Sequence, residues 1–163
     1  RKRGGIEWKA GGALVLHDAR TIIMKWILHF DGGCFPNPGG AVRYGWHLDT
    51  GDGDPIAQGA GAVPGLPAAE RTNNSAEFHA LLFGLRAALA AEFESPTCLE
   101  IVGDSQVAVR AASGRYKMSA PHLRRLADQI RAEIQEIRAA GVEVLFTWVP
   151  RKQNARADAL AGV

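Results

Sequence analysis

Four acidic side chains, Asp31, Glu77, Asp104 and Asp158, stand at positions where a structural acid is hard to justify. Asp31 closes the apolar, β-prone run Trp26-Ile27-Leu28-His29-Phe30, and Asp104 follows a second run, Leu99-Glu100-Ile101-Val102, at a strand-to-helix junction. Glu77 falls in the first turn of the main helical segment, and Asp158 lies between alanines in a terminal one. Taken singly, each has an ordinary role: an Asp after a strand forms a turn or caps a helix, and an acid near a helix start complements the dipole. Taken together they mean more, because two Asp-ended strands that neighbour one another in a sheet bring their acids to one edge. Clustered carboxylates cannot all stay ionised unless something neutralises them, and hard divalent cations with oxygen ligands do so.

The elements that must position these acids follow from period and punctuation. Residues 26–30 form a strand stopped by Asp31-Gly32-Gly33 and the dense turn Pro36-Asn37-Pro38-Gly39-Gly40. Ala41 to Leu48 and Pro55 to Val63 are two further strands on short connections, which imply an antiparallel meander. Asn73 to Glu94 is helical, with Leu81, Leu82, Leu85, Ala88 and Leu89 as its apolar stripe and Asn73 or Asn74 as its cap. Then come a strand over Thr97 to Val102, a short helix over Asp104 to Ala112, a long amphipathic helix over Pro121 to Ala140, a strand over Val142 to Val149 and a helix over Asn154 to Leu160. The order βββαβααβα predicts an α/β fold with one mixed sheet and helices on its faces, since parallel neighbours require helical crossovers.

A chain of 163 residues with 47% hydrophobic and 22% charged residues has the size and composition of one globular domain, which excludes wholesale disorder. No apolar run is long enough to span a membrane, and the basic start Arg1-Lys2-Arg3 lacks the apolar stretch of a secretory signal. Cys34 and Cys98 supply neither a zinc ribbon nor a disulfide framework, so a cytoplasmic, reducing compartment is expected. Residues 101–163 carry ten Lys/Arg against six Asp/Glu, while residues 1–100 carry nine against eleven. The basic stretch from Arg110 to Arg131 reads either as a solvated helix face or as a surface for a polyanion. The histidines lack ligand spacing and read as structural or solvated; Trp148 reads as core, and Phe35, an aromatic beside the Gly-rich turn, could touch a sugar.

Four motifs occur in order: Asp31-Gly32-Gly33-Cys34-Phe35-Pro36-Asn37-Pro38-Gly39, Thr72-Asn73-Asn74-Ser75-Ala76-Glu77, Asp104-Ser105-Gln106, and Trp148-Val149-Pro150 with Asn154 to Ala161. In these the chain resembles the type 1 ribonuclease H family. The resemblance covers residues 25–163, the expected ribonuclease H-like catalytic domain, and leaves 1–24 as a lead-in of unknown role. It implies a five-stranded mixed sheet, three antiparallel strands then two parallel, flanked by helices. It also implies a monomeric endonuclease that cleaves the RNA strand of RNA–DNA hybrids using two Mg²⁺ ions, with Mn²⁺ as a substitute. Asp31, Glu77, Asp104 and Asp158 match the family's metal-binding carboxylates, and Asn37, Thr72, Asn73, Asn74 and Gln106 match substrate-facing positions. Two-metal hydrolysis needs no protein nucleophile, which suits a sequence without a nucleophile motif.

Three departures qualify the resemblance. Between Val149 and Asp158 there is no histidine, where many members carry one credited with water activation or product release; Arg151 and Lys152 stand there instead. No basic handle follows the helix after Asp104, so Arg124, Arg125 and Arg131 are the cations left to meet phosphate. Glu70 occupies a place often basic in the family, with Arg71 beside it as the available compensation. The competing readings are an inactive nucleic-acid-binding module and a nuclease of the same superfamily with another substrate.

Overall fold

Trp26, Leu28 and Phe30 alternate with less buried neighbours, the pattern of a strand with one face on the core. That strand is the axis of the sheet in the computed structural model, which describes residues 14–17, 21–91 and 96–162. Strand β1 (Leu14–His17) pairs antiparallel with the start of β2 (Thr21–Phe35). Beyond that start β2 pairs antiparallel with β3 (Ala41–Thr50) from Trp26 to Phe35 and parallel with β5 (Cys98–Gly103) from Lys25 to Phe30. Strand β4 (Pro55–Ala62) flanks β3, and β6 (Glu143–Trp148) runs parallel to β5, giving the order β4-β3-β2-β5-β6. The expected five-stranded mixed sheet is therefore present. Of the lead-in, residues 1–13 and 18–20 lie outside the described residues.

Helix α1 (Asn73–Ala90) covers the β2–β3 face, α3 (Pro121–Ala139) packs against α1 and β6, and α2 (Gln106–Ala112) packs beside β5. Leu28, Phe30, Leu81, Leu85, Leu99, Ile101, Ile130 and Ile134 fill the space between them and are fully buried. The short helix α4 (Ala155–Ala161) docks on the opposite face of β2 and β3. Among the described residues no helix is long and apolar enough to cross a membrane.

Several boundaries differ from expectation for physical reasons. Strand β2 does not stop at Asp31-Gly32-Gly33; pairing continues to Phe35 opposite Ala41. Gly32 is small because α1 crosses it at contact distance: a Cβ there would meet the Ala76 carbonyl carbon at 2.4 Å. Gly45 does the same for α4, with the Ala161 nitrogen 2.4 Å from a hypothetical Cβ. The cap of α1 is Thr72, whose hydroxyl accepts from the Ser75 N–H, so Asn73 and Asn74 are the first helical residues and Glu77 stands in the second turn, not the first. Helix α1 ends at Ala90 rather than Glu94, and residues 92–95 lie outside the described set. Helix α2 begins at Gln106 with Ser105 as its cap, which leaves Asp104 in the connection. Trp148, expected in the core, is 46% exposed, because β6 is an edge strand and its indole N–H reaches out to the Asp104 carbonyl at 2.9 Å.

Candidate active site

Parallel pairing of β2 with β5 sets Phe30 opposite Gly103, so Asp31 and Asp104 follow side by side at the same end of the sheet. The close crossing at Gly32 brings the second turn of α1, and with it Glu77, over that end. One oxygen from each of Asp31, Glu77 and Asp104 lies within 4.8 Å of the others. All three line an open cleft of about 920 Å³ that also takes in Phe35, Arg43, Asn73 and Arg151. Asp158 projects from the first turn of α4 near enough to Asp31 to raise its pKa, and it is engaged in an ion pair with Arg151. The structure thus brings three of the four acids into one group and sets the fourth at its flank.

Asp31 is only 5% exposed, and burial pushes its pKa up to about 7, with Asp104 and Asp158 adding to the rise. Burial likewise raises Glu77 to about 8; a hydrogen bond from Ser105 opposes this, while Asp31 and Asp104 reinforce it. The cluster therefore holds protons near neutrality in the absence of a cation. Both native values lie above the unfolded ones, so the stability these acids contribute is fully present below about pH 4 and is lost as pH rises through 7 and 8. A divalent cation takes the deprotonated form, which reverses the trend. Mg²⁺ is accordingly expected to raise the melting temperature more at pH 8 than at pH 6, and equal shifts at the two pH values would contradict it. An all-oxygen set of three clustered acids, two of them strained by mutual charge, fits a hard divalent ion.

The expected substrate contacts are distributed unevenly. Asn73 lines the cleft; its side-chain oxygen accepts from the Cys34 N–H at 2.7 Å, and its own backbone N–H donates to the Asn37 side chain at 3.2 Å. These bonds tie the β2–β3 turn to the start of α1. Asn74 is half-buried beside Asn73, and Gln106 is exposed at the start of α2, outside the cleft lining. Thr72 spends its hydroxyl on the cap. Arg124 donates to the Met118 and Ser119 carbonyls, and Arg125 pairs with Glu70 at 3.4 Å. Arg71, beside Glu70, donates its Nε–H to the Leu66 carbonyl at 2.8 Å. Phe35 stands 85% exposed at the cleft rim. Arg43, which nothing in the sequence singles out, lines the cleft opposite Gly33 and holds the Ala161 carbonyl at 3.0 Å.

A mixed sheet of this order, with carboxylates gathered at one end of the central strand and the neighbouring parallel strand, defines the ribonuclease H-like class of fold. Residues 57–162 match the profile of the reverse transcriptase-like family. The ribonuclease HI of Halobacterium salinarum is 37% identical over 133 residues, covering 82% of this chain and 60% of that protein. The solved N-terminal RNase H domain of Rv2228c from Mycobacterium tuberculosis superposes with a TM-score of 0.71 at 32% identity, covering 85% of this chain and 91% of the domain. LC11-RNase H1, solved in complex with an RNA/DNA hybrid, gives a TM-score of 0.67 at 28% identity over 84% and 94% of the two chains. The chain belongs to the type 1 ribonuclease H family. It spans 60% of the length of the halobacterial relative and 35% of the full mycobacterial protein.

Proposed function

We propose that the chain is a divalent-metal-dependent endoribonuclease that hydrolyses the RNA strand of RNA–DNA hybrids, with residues 25–163 as its catalytic domain. The observation that carries this reading is the convergence of Asp31, Glu77 and Asp104 on one point of an open cleft, in a chain of this family. The solved hybrid complex of LC11-RNase H1 supports the substrate class. Asp31, Glu77, Asp104 and Asp158 would hold two Mg²⁺ ions, or Mn²⁺ in their place, with Asp31 interacting with each of the other three. Bound divalent ions supply water activation at neutral pH and stabilise charge on the departing 3′ oxygen.

The protein's own groups orient the substrate. Asn73, in the cleft with the acids, and Asn74, next to it at the start of α1, are uncharged amides suited to 2′-hydroxyls and base edges in the shallow minor groove of a hybrid. Asn37 fixes the first of them, and Gln106 offers a further amide from α2. Thr72 and the α3 residues Arg124 and Arg125 face the phosphate backbone in this reading. The two buried free cysteines suit a reducing, cytoplasmic setting, and the proposed working form is a monomer.

The deciding experiment offers labelled hybrid, double-stranded RNA and single-stranded RNA to the protein with Mg²⁺ and with Mn²⁺. Cleavage confined to the RNA strand of the hybrid supports the proposal. Binding without cleavage would identify an inactive module, and cleavage of another substrate would identify a different nuclease. Hybrid binding is also expected to weaken steeply with salt, and Arg124→Ala with Arg125→Ala to flatten that dependence. An unchanged slope would return both residues to the solvated face of α3.

A further inference from the structure

On the α4 face of the sheet, beginning two residues before Asp31 on β2, lies a chain of polar groups that the proposed hydrolysis does not use. His29 and His47 pair across β2 and β3, and their rings stack 4.6 Å apart and within 9° of parallel. Both oxygens of the buried Asp49 are taken: Arg156 donates to each at 3.1 Å, and one of them also meets the His47 Nδ1 at 2.7 Å. At the other end His29 Nδ1 meets the side-chain oxygen of Asn154 at 3.2 Å, and the Asn154 amide donates to the Phe30 carbonyl at 2.9 Å.

We infer that His29, His47, Asp49, Arg156 and Asn154 form a positioning device that seats α4 on the sheet and thereby fixes Asp158 relative to Asp31. This inference rests on the proposed metal-holding role of the carboxylates. Its geometry is specific: Asn154 is the residue before α4, one turn ahead of Asp158, and it grips the carbonyl of the residue that precedes Asp31. Arg156, two residues before Asp158, reaches β3 at Asp49 and β4 at Gln58. A helix of only seven residues has little stability of its own, so its place depends on what docks it. Apolar packing alone would seat it at less electrostatic cost, since a buried ion pair gains little over well-packed hydrophobes. What the polar chain adds is direction: Arg156, with one nitrogen on Asp49 and the other on Gln58, and the stacked histidines allow α4 one register over Gly45, whereas the small alanines Ala157 and Ala161 would tolerate sliding. These groups are therefore positioning residues; none of them lines the cleft.

The test is calorimetric titration of Mn²⁺ into the full chain as wild type, Asp49→Asn, Asp158→Asn and the double variant. Asp49→Asn is expected to weaken Mn²⁺ binding at least threefold in the wild-type background. It should add nothing once Asp158→Asn has removed the group it positions, while Asp31, Glu77 and Asp104 still bind the ion. In hybrid cleavage the same variant should lower kcat and leave KM unchanged. Arg156→Lys, which keeps the charge and loses the second nitrogen that reaches Gln58, should show the same pattern more weakly and serves if Asp49→Asn does not fold. Wild-type Mn²⁺ affinity in Asp49→Asn and Arg156→Lys, or an equal loss in both backgrounds, would overturn the inference and leave the carboxylate site standing. If the wild-type protein takes up no Mn²⁺, the reading of the carboxylates falls, and this inference with it.

Discussion

Asp31→Asn is expected to cut hybrid cleavage by far more than tenfold while leaving the fold intact. Asn has almost the shape of Asp, so the buried position and the pairing of β2 opposite Gly45 are kept. The change removes the one charge that interacts with Asp104, Asp158 and Glu77 together. Because burial and those neighbours disfavour ionised Asp31, the neutral amide also relieves repulsion in the metal-free protein, and the melting temperature should hold or rise at pH 8. The pair of measurements separates chemistry from folding: a stable protein with little turnover is the expected combination. A rate above about a tenth of wild type, a barrier change under about 1.4 kcal/mol, would mean that Asp31 is not central to the reaction.

Chelation of divalent ions is expected to remove activity altogether, reversibly, and without unfolding the chain. The cleft contains no Ser–His or Cys–His pair: among its lining residues are Cys34, whose sulfur donates to the Pro36 carbonyl, and three carboxylates, but no histidine. Asp31 and Glu77, raised to about 7 and about 8, could accept a proton, but carboxyl groups supply no positive charge for the attacking water or the departing 3′ oxygen, which bound cations would provide. The apolar core of Leu28, Phe30, Leu81, Ile101 and their neighbours lies apart from the carboxylates and holds the fold when the cation is removed, at a lower melting temperature. Excess chelator should therefore abolish cleavage while circular dichroism is unchanged, and Mg²⁺ or Mn²⁺ should restore it. Undiminished cleavage in chelator would refute a metal-dependent mechanism.

How far the sequence reveals this arrangement depends on the kind of signal each part carries. The meander, the crossover helices and the apolar stripe of α1 are periodic, and period survives in sequence, so the sheet order and helix positions are legible there. The ends are not, because tertiary contact decides them. Asp31-Gly32-Gly33 has the composition of a turn, yet the strand runs through it, since what Gly32 serves is the crossing of α1 and not a bend. Trp148 looks like core, but edge position is a property of the whole sheet and leaves no local mark. The four acids stand out only as an ordered set of motifs, and their spacing in the chain does not say that Arg151 pairs with Asp158. The histidines lack ligand spacing, as their sequence context indicates. Their stacking depends on a cross-strand register between His29 and His47 that sequence alone does not specify.

Gly32 and Gly45 give the site an uncommon kind of tolerance. One lets α1 approach β2 from one side, and the other lets α4 approach β3 from the opposite side, each with main chain against main chain. Side-chain packing can relax around a substitution by changing rotamers, but backbone contact has no such slack. The separation between the helices bearing Glu77 and Asp158 is thus gauged by two missing methyl groups, as the thickness of a joint is gauged by a shim. Drift elsewhere in the core, a Leu for an Ile or a Met for a Leu, would be absorbed before it reached the carboxylates. The same drift at either glycine would be transmitted to them directly, although neither residue carries a functional group.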